Sequence, residues 1–397
     1  MKYAIVVMDG AADEPLAELG GRTVLEKAHI PNTDSISREG RQGLVRTVPA
    51  GFSPGSDVAL MSVMGYDPVK YYTGRAPLEA AARDIPRAAD DLIFRCNLVT
   101  VVDGIMRDYS AGHIETVQAA RLIADLNGKL GNERLQFYAG VGYRHLMVWR
   151  GKQKFGGVIA PPHDIMDEPI FRHLPKGKAG KKLREIMEGA AHILGGHEVN
   201  QVRSDLGENQ ATNIWLWGQG HRPRLDRFSQ LYGIKGAVIT AVDLMRGMAK
   251  LAGMDIIEVA GATGYLDTNY AGKGQAAIEA LGDNDLVLVH VEAPDEAAHE
   301  ALVEEKINAI EQIDKHIVGP LLKRLQPERQ WRIMVLPDHP TPIRLRTHSE
   351  RPVPFALAGT GVTGGQQLPY SEANSNNSGF RIERGYELMG YFLGVKS

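Results

Sequence analysis

The 397-residue chain exceeds what one hydrophobic core supports, since cores stop growing near ~250–300 residues, so two domains are expected. Its 45 basic and 48 acidic side chains leave a net charge of −3, which supplies no basic field for a nucleic-acid backbone. A single cysteine, Cys96, excludes an intrachain disulfide and with it the disulfide-stapled secreted classes, and favours a reducing compartment.

In chain order, the first element is the β-branched apolar run 3–8, which ends on Asp9. It is too short for a signal-peptide core, and no uncharged apolar run elsewhere approaches the ~18–20 residues that cross a bilayer. A cytoplasmic chain without a membrane partner is the expectation. The stretch GFSPGSDVALMSVMGYD then places Ser56 between a Gly/Pro turn and an apolar helical run, 58–64. Serine there reads as an N-cap. The same position also suits a covalent phosphate, because the positive end of a helix faces it, and a nearby metal would make the hydroxyl a nucleophile.

Residues 86–209 carry their own strand-like runs, 92–102 and 144–148, and a lysine-rich helical segment, 176–194. This texture predicts an inserted second domain, with a core built from 1–85 and 210–397. Arginine forks suited to carboxylate or phosphate lie in RDYSAGH (Arg107, with Asp108 and His113), in GYRH (Arg144) and in GHRPR (Arg222 and Arg224). His163 and Asp164 follow two prolines, which reads as a structural turn.

The later chain repeats one theme. Run 286–291 leads to Asp295 and His299, and run 333–336 leads to Asp338 and His339, with His348 beyond. Between them, Lys306, Ile307, Ile310, Asp314 and Ile317 predict an amphipathic helix with its charged members on the outer face. Short apolar runs joined by helices predict an α/β fold with a mainly parallel central sheet, whose ligands bind beyond the carboxyl ends of the strands. Three strand tips would then deliver Asp9, Asp295, His299, Asp338 and His339 to one place. Oxygen and imidazole donors together suit Mn²⁺ or Zn²⁺, with Mg²⁺ or Co²⁺ as further candidates.

The blocks MDGAADEP, GSDVALMSVMGYDP, VEAPDEAAH and LPDHPTPIRLRTHS, in this order and spacing, resemble the cofactor-independent phosphoglycerate mutases, specifically the short archaeal-type group within the alkaline phosphatase superfamily. YRHLMVWRG, PPHD, NIWLWGQG and GATGYLDTNY extend the resemblance along nearly the whole chain. It implies an alkaline-phosphatase-like core with a smaller inserted α/β domain that covers the substrate. It also implies two divalent ions, one held by Asp9, Ser56, Asp338 and His339 and the other by Asp295, His299 and His348. Ser56 would accept the phosphoryl group, and the substrate would be a small phosphorylated carboxylate, with 3-phosphoglycerate and 2-phosphoglycerate interconverted.

The block VEAPDEAAH, with Glu292, lacks the lysine and glycine usual in the archaeal members, and Pro340 follows the Asp-His pair of the later block; these features look like a bacterial branch with a proposed homoserine kinase role. An ATP-dependent homoserine kinase on the same metal-serine site is therefore the second expectation, although no G-x-x-x-x-G-K-[ST] loop is present. A non-catalytic, metal-stabilised binding protein is the third, and a serine at a helix start is superfluous to it.

Overall fold

The computed structural model describes residues 1–365 and 367–395. Its strands, in chain order, are β1 (Lys2–Met8), β2 (Arg41–Val45), β3 (Leu92–Val102), β4 (Ile105–Asp108), β5 (Leu135–Tyr138), β6 (Arg144–Trp149), β7 (Asn213–Gly220), β8 (Gly236–Ile239), β9 (Asp255–Ile256), β10 (Leu286–Val291), β11 (Trp331–Leu336), β12 (Val353–Gly359) and β13 (Arg381–Ile382). The chain divides into two compact units, residues 1–72 with 224–397, and residues 73–223.

The larger unit is built on an eight-stranded sheet in the order β13-β2-β12-β11-β1-β10-β8-β9. Its centre, β11-β1-β10-β8, is parallel, and β12 runs antiparallel to both β11 and β2. β1 and β10 are buried on both faces, which is why their sequences are continuous apolar runs without alternation. The helix Tyr270–Asp283 packs on β10 and the helix Pro31–Glu39 on β11 and β12, closing one core around Val6, Met8, Val289, Val291, Ile333 and Val335.

The predicted amphipathic segment forms the helix Val303–Ile313, but its charges do not all face outward. Lys306 and Asp314 are buried. Lys306 Nζ donates to Asp13 Oδ2 at 2.7 Å and to the Thr341 carbonyl at 2.9 Å. The backbone widens to a π turn over Asp314–Val318, and the Asp314 carboxylate caps the start of another helix, accepting from Asn32 N at 3.1 Å and Thr33 N at 2.7 Å. Periodicity alone reads such residues as solvated, because it does not see the partner supplied by a distant segment.

In the smaller unit β3 pairs antiparallel with β4, β6 and β7, and β5 extends β6. The helices Thr116–Leu130 and Gly177–Gly195 cover this sheet through Leu122, Leu126, Leu183 and Met187. The contact division lies outside the predicted limits of 86 and 209. The helix Arg75–Ala82 packs Ala76 and Ala80 against Ile93, Leu146 and Val148, and β7 is hydrogen-bonded to β3, so both belong to this unit.

Candidate metal centre

Asp9 follows β1, Asp338 and His339 follow β11, and Asp295 and His299 lie on the helix Ala293–His299 that follows β10. Since these three strands are sheet neighbours, the predicted convergence occurs within the larger unit. Gly10 makes it possible. With φ +62°, it turns the chain directly after Asp9, and a Cβ there would collide with the Asp295 carboxylate and lie 2.7 Å from Thr341 Oγ1.

Two adjoining donor groups result. In one, His339 Nε2 lies 3.0 Å from Ser56 Oγ, 3.5 Å from Asp9 Oδ1 and 3.4 Å from Asp338 Oδ2. In the other, His299 Nε2 lies 3.1 Å from His348 Nε2 and 3.2 Å from Asp295 Oδ2. Donor atoms of Asp295, His299 and His348 lie within 4.8 Å of one another, as do those of Asp9, Asp295 and His339, so Asp295 borders both groups.

The donor set fits divalent ions on three counts. Asp9 Oδ1 and Asp338 Oδ2 are buried without a hydrogen-bond partner, an arrangement proteins avoid unless something else satisfies the atoms. Burial, reinforced by the Asp338 and Asp295 carboxylates, pushes Asp9 well above the usual carboxylate range, the mark of crowded carboxylates that a cation would relieve. Finally, His299 Nδ1 donates to the Arg346 carbonyl at 2.9 Å, so Nε2, which faces Asp295 and His348, is the ring nitrogen that can ligate an ion once its proton leaves.

The two histidines differ in charge. Burial lowers His339 to about 4 despite the Asp338 charge, so it is neutral and ready to ligate. Burial also disfavours a charged His299, but the hydrogen bond and charge of Asp295 outweigh it and raise His299 to about 9 in the ion-free protein. A proton must therefore leave His299 when an ion binds, and protons compete better as pH falls. Mn²⁺ affinity at the Asp295 group should rise with pH from 6 to 9, by up to about tenfold per unit. Calorimetric titration in buffers of different ionisation enthalpy counts the released protons; an affinity flat with pH would contradict this account.

Ser56 corrects one expectation. It is the first residue of the helix Ser56–Val63, whose N-cap is Gly55, and the side chain that accepts from a first-turn N–H is Asp57, from Val58 N at 3.0 Å, not Ser56. The serine hydroxyl is turned to His339, so its role there is not structural capping.

The substrate-binding expectations concern the smaller unit. Arg107 Nη1 is 2.7 Å from Asp167 in an exposed ion pair, and Arg222 is exposed. Asp108 accepts from Ser110 N at 2.7 Å, Gly112 N at 2.6 Å and Asn209 Nδ2 at 2.8 Å. Burial opposes its ionisation, yet these donors hold it below the usual range, which makes it a fixed acceptor ill suited to shuttling protons. His113 and Arg144 meet at Tyr143, with the His113 ring 6.4 Å and the Arg144 guanidinium 5.3 Å from its centroid.

From Tyr143 a line of rings continues through Tyr109 and His163 to Trp217, over which Arg95 lies at 4.4 Å. His163, which reads as part of a structural turn in sequence, thus belongs to an aromatic surface. Sequence reasoning missed Tyr109, Tyr143, Trp217 and Arg95, since no local spacing relates them.

The family model described as 2,3-bisphosphoglycerate-independent phosphoglycerate mutase matches residues 37–200. A 2,3-bisphosphoglycerate-independent phosphoglycerate mutase of Methanothrix thermoacetophila is 52% identical over 390 residues, covering 98% of each chain. A protein of Geobacter sulfurreducens named as a probable mutase of this kind is 47% identical, over 99% of this chain and 100% of its own. Among solved structures, a Pyrococcus horikoshii protein superposes with a TM-score of 0.83 at 28% identity, covering 100% of this chain and 98% of its own. The cofactor-independent phosphoglycerate mutase of Thermoplasma acidophilum superposes with a TM-score of 0.65 at 27% identity over 100% of both chains.

Proposed function

The chain belongs to the 2,3-bisphosphoglycerate-independent phosphoglycerate mutase family, and from that premise we propose that Ser56 carries the phosphoryl group between the two hydroxyls of glycerate. The protein interconverts 3-phosphoglycerate and 2-phosphoglycerate. The observation that carries the role of Ser56 is its hydroxyl, 3.0 Å from His339 Nε2 and at a helix start, with the same ring nitrogen 3.4–3.5 Å from two buried carboxylate oxygens that have no hydrogen-bond partner.

Asp9, Asp338 and His339 would hold one divalent ion with Ser56, and Asp295, His299 and His348 a second. When bound, such ions lower the pKa of a hydroxyl and neutralise charge on phosphoryl oxygens. Mn²⁺ and Zn²⁺ are the first choices, because imidazole and carboxylate donors are mixed.

Ser56 Oγ attacks the phosphorus of 3-phosphoglycerate, the bond from phosphorus to the substrate's O3 breaks, and the serine's proton is balanced by one returned to O3. The phosphoserine lies at the positive end of its helix, which favours the added negative charge. Glycerate then offers its 2-hydroxyl, whose oxygen takes the phosphorus while the serine hydroxyl is restored. Of the candidate substrate residues, His113 and Arg144 are favoured over Arg107 and Arg222, because they share one aromatic surface and Arg107 is already paired.

With 3-phosphoglycerate and Mn²⁺, and without ATP or a bisphosphorylated primer, a coupled enolase assay should report 2-phosphoglycerate. No ATP site is needed for a serine that stores the phosphoryl group itself. Absence of product alongside ATP-dependent phosphorylation of homoserine would overturn this reading.

A further inference from the structure

Asp9 presents two different faces. Its Oδ1 lies 3.5 Å from His339 Nε2 and has no hydrogen-bond partner, whereas its Oδ2 is 2.9 Å from His290 Nε2. His290 belongs to β10, within the apolar run LVLVHV, and is fully buried. Its other ring nitrogen, Nδ1, lies 3.2 Å from Glu292 Oε1 and 3.1 Å from Thr240 Oγ1.

Glu292 is held in turn. Its Oε1 accepts from Thr240 Oγ1 at 3.0 Å and from Ala241 N at 3.2 Å, and its Oε2 accepts from Lys273 Nζ at 3.1 Å. Lys273, fully buried on the helix Tyr270–Asp283, also donates to the His290 carbonyl at 3.0 Å. Burying so many ionisable groups is expensive, and apolar residues of similar volume would stabilise the core at least as well. Stability therefore does not explain the cluster.

Its geometry does. Every link fixes the imidazole plane, and a fixed imidazole fixes the carboxylate it touches, leaving only Oδ1 directed at the donor group. We infer that His290, braced by Glu292, Thr240 and Lys273, is a positioning residue that aims Asp9 at the ion shared with Ser56. Such outer partners govern the affinity of the ligands they orient. The inference rests on the two-ion reading above.

The test titrates Mn²⁺ into the metal-free, full-length protein and follows the free ion by electron paramagnetic resonance. Wild type should bind two equivalents. In His290→Leu one equivalent should weaken by about 10–100-fold while the other stays within about threefold, and the weak one should persist when His348→Ala removes its neighbour. His290→Gln, whose Nε2 amide can still donate to Asp9, should recover most of the loss.

Should His290→Leu fail to fold, the double variant Glu292→Gln with Lys273→Met keeps the charge balance and the volume. It should weaken the same equivalent by roughly tenfold. Two equivalents of unchanged affinity, or an equal loss at both without rescue by glutamine, would overturn the positioning role and leave the two-ion reading standing. A wild-type protein binding fewer than two equivalents would overturn that reading and this inference with it.

Discussion

The Ser56→Ala protein should lose turnover by roughly 10⁴-fold or more, the scale on which removing a covalent nucleophile acts, since the other members of the site have nothing to relay to. Asp9, Asp338 and His339 remain, so the donor group survives while the acceptor is gone. The change should cost little stability, within about 0.5 kcal/mol, because Gly55 holds the N-cap position and the serine hydroxyl caps nothing. Trapping with 3-phosphoglycerate followed by mass spectrometry should place phosphate on Ser56 in wild type and nowhere in the variant. Near-normal turnover by Ser56→Ala would return the serine to an ordinary helix start.

Lys306→Met should destabilise the larger unit by about 3–5 kcal/mol, the usual cost of leaving one partner of a buried ion pair uncompensated. The Asp13 side chain is fully buried, and besides Lys306 Nζ it accepts from Glu14 N at 2.8 Å and Ile343 N at 3.3 Å. Lys306 also holds the Thr341 carbonyl, and Thr341 N donates to the Ala12 carbonyl at 3.2 Å, so the pair ties the loop after β1 to the loop after β11. Those loops carry Asp9, Asp338 and His339. Adding Asp13→Asn should restore much of the loss, because an amide tolerates burial that a lone carboxylate does not. Urea unfolding of the single and double variants measures both quantities, and a single-variant cost below about 1 kcal/mol would show that water or a neighbour replaces the lysine.

The parallel core and its polar tips are legible in the sequence because both depend on local properties. A strand buried on both faces is apolar at nearly every position, and a residue beyond its carboxyl end is delivered to that end of the sheet wherever the strand lies. Hence Asp9, Asp295, His299, Asp338 and His339 could be named from three runs and their following residues. The paired spacing of Asp295 and His299 likewise needs only a helical turn.

What remained was decided by contacts between distant segments. His290 stands in an apolar run, and that misfit was a visible sign, but its meaning depends on Glu292, Thr240 and Lys273 meeting behind Asp9. Glu292 reads as a departure from a pattern in sequence and as the brace of a buried imidazole in the fold. Lys306 and Asp314 read as surface charges because their partners, Asp13 and the segment at Asn32, lie far away in the chain. Helix periodicity, strand burial and turn chemistry act over a few residues and are written locally. Satisfying a buried charge takes a partner that only the folded chain can bring, so the sequence named the donors and the tertiary structure determined which of them are aimed, paired or committed elsewhere.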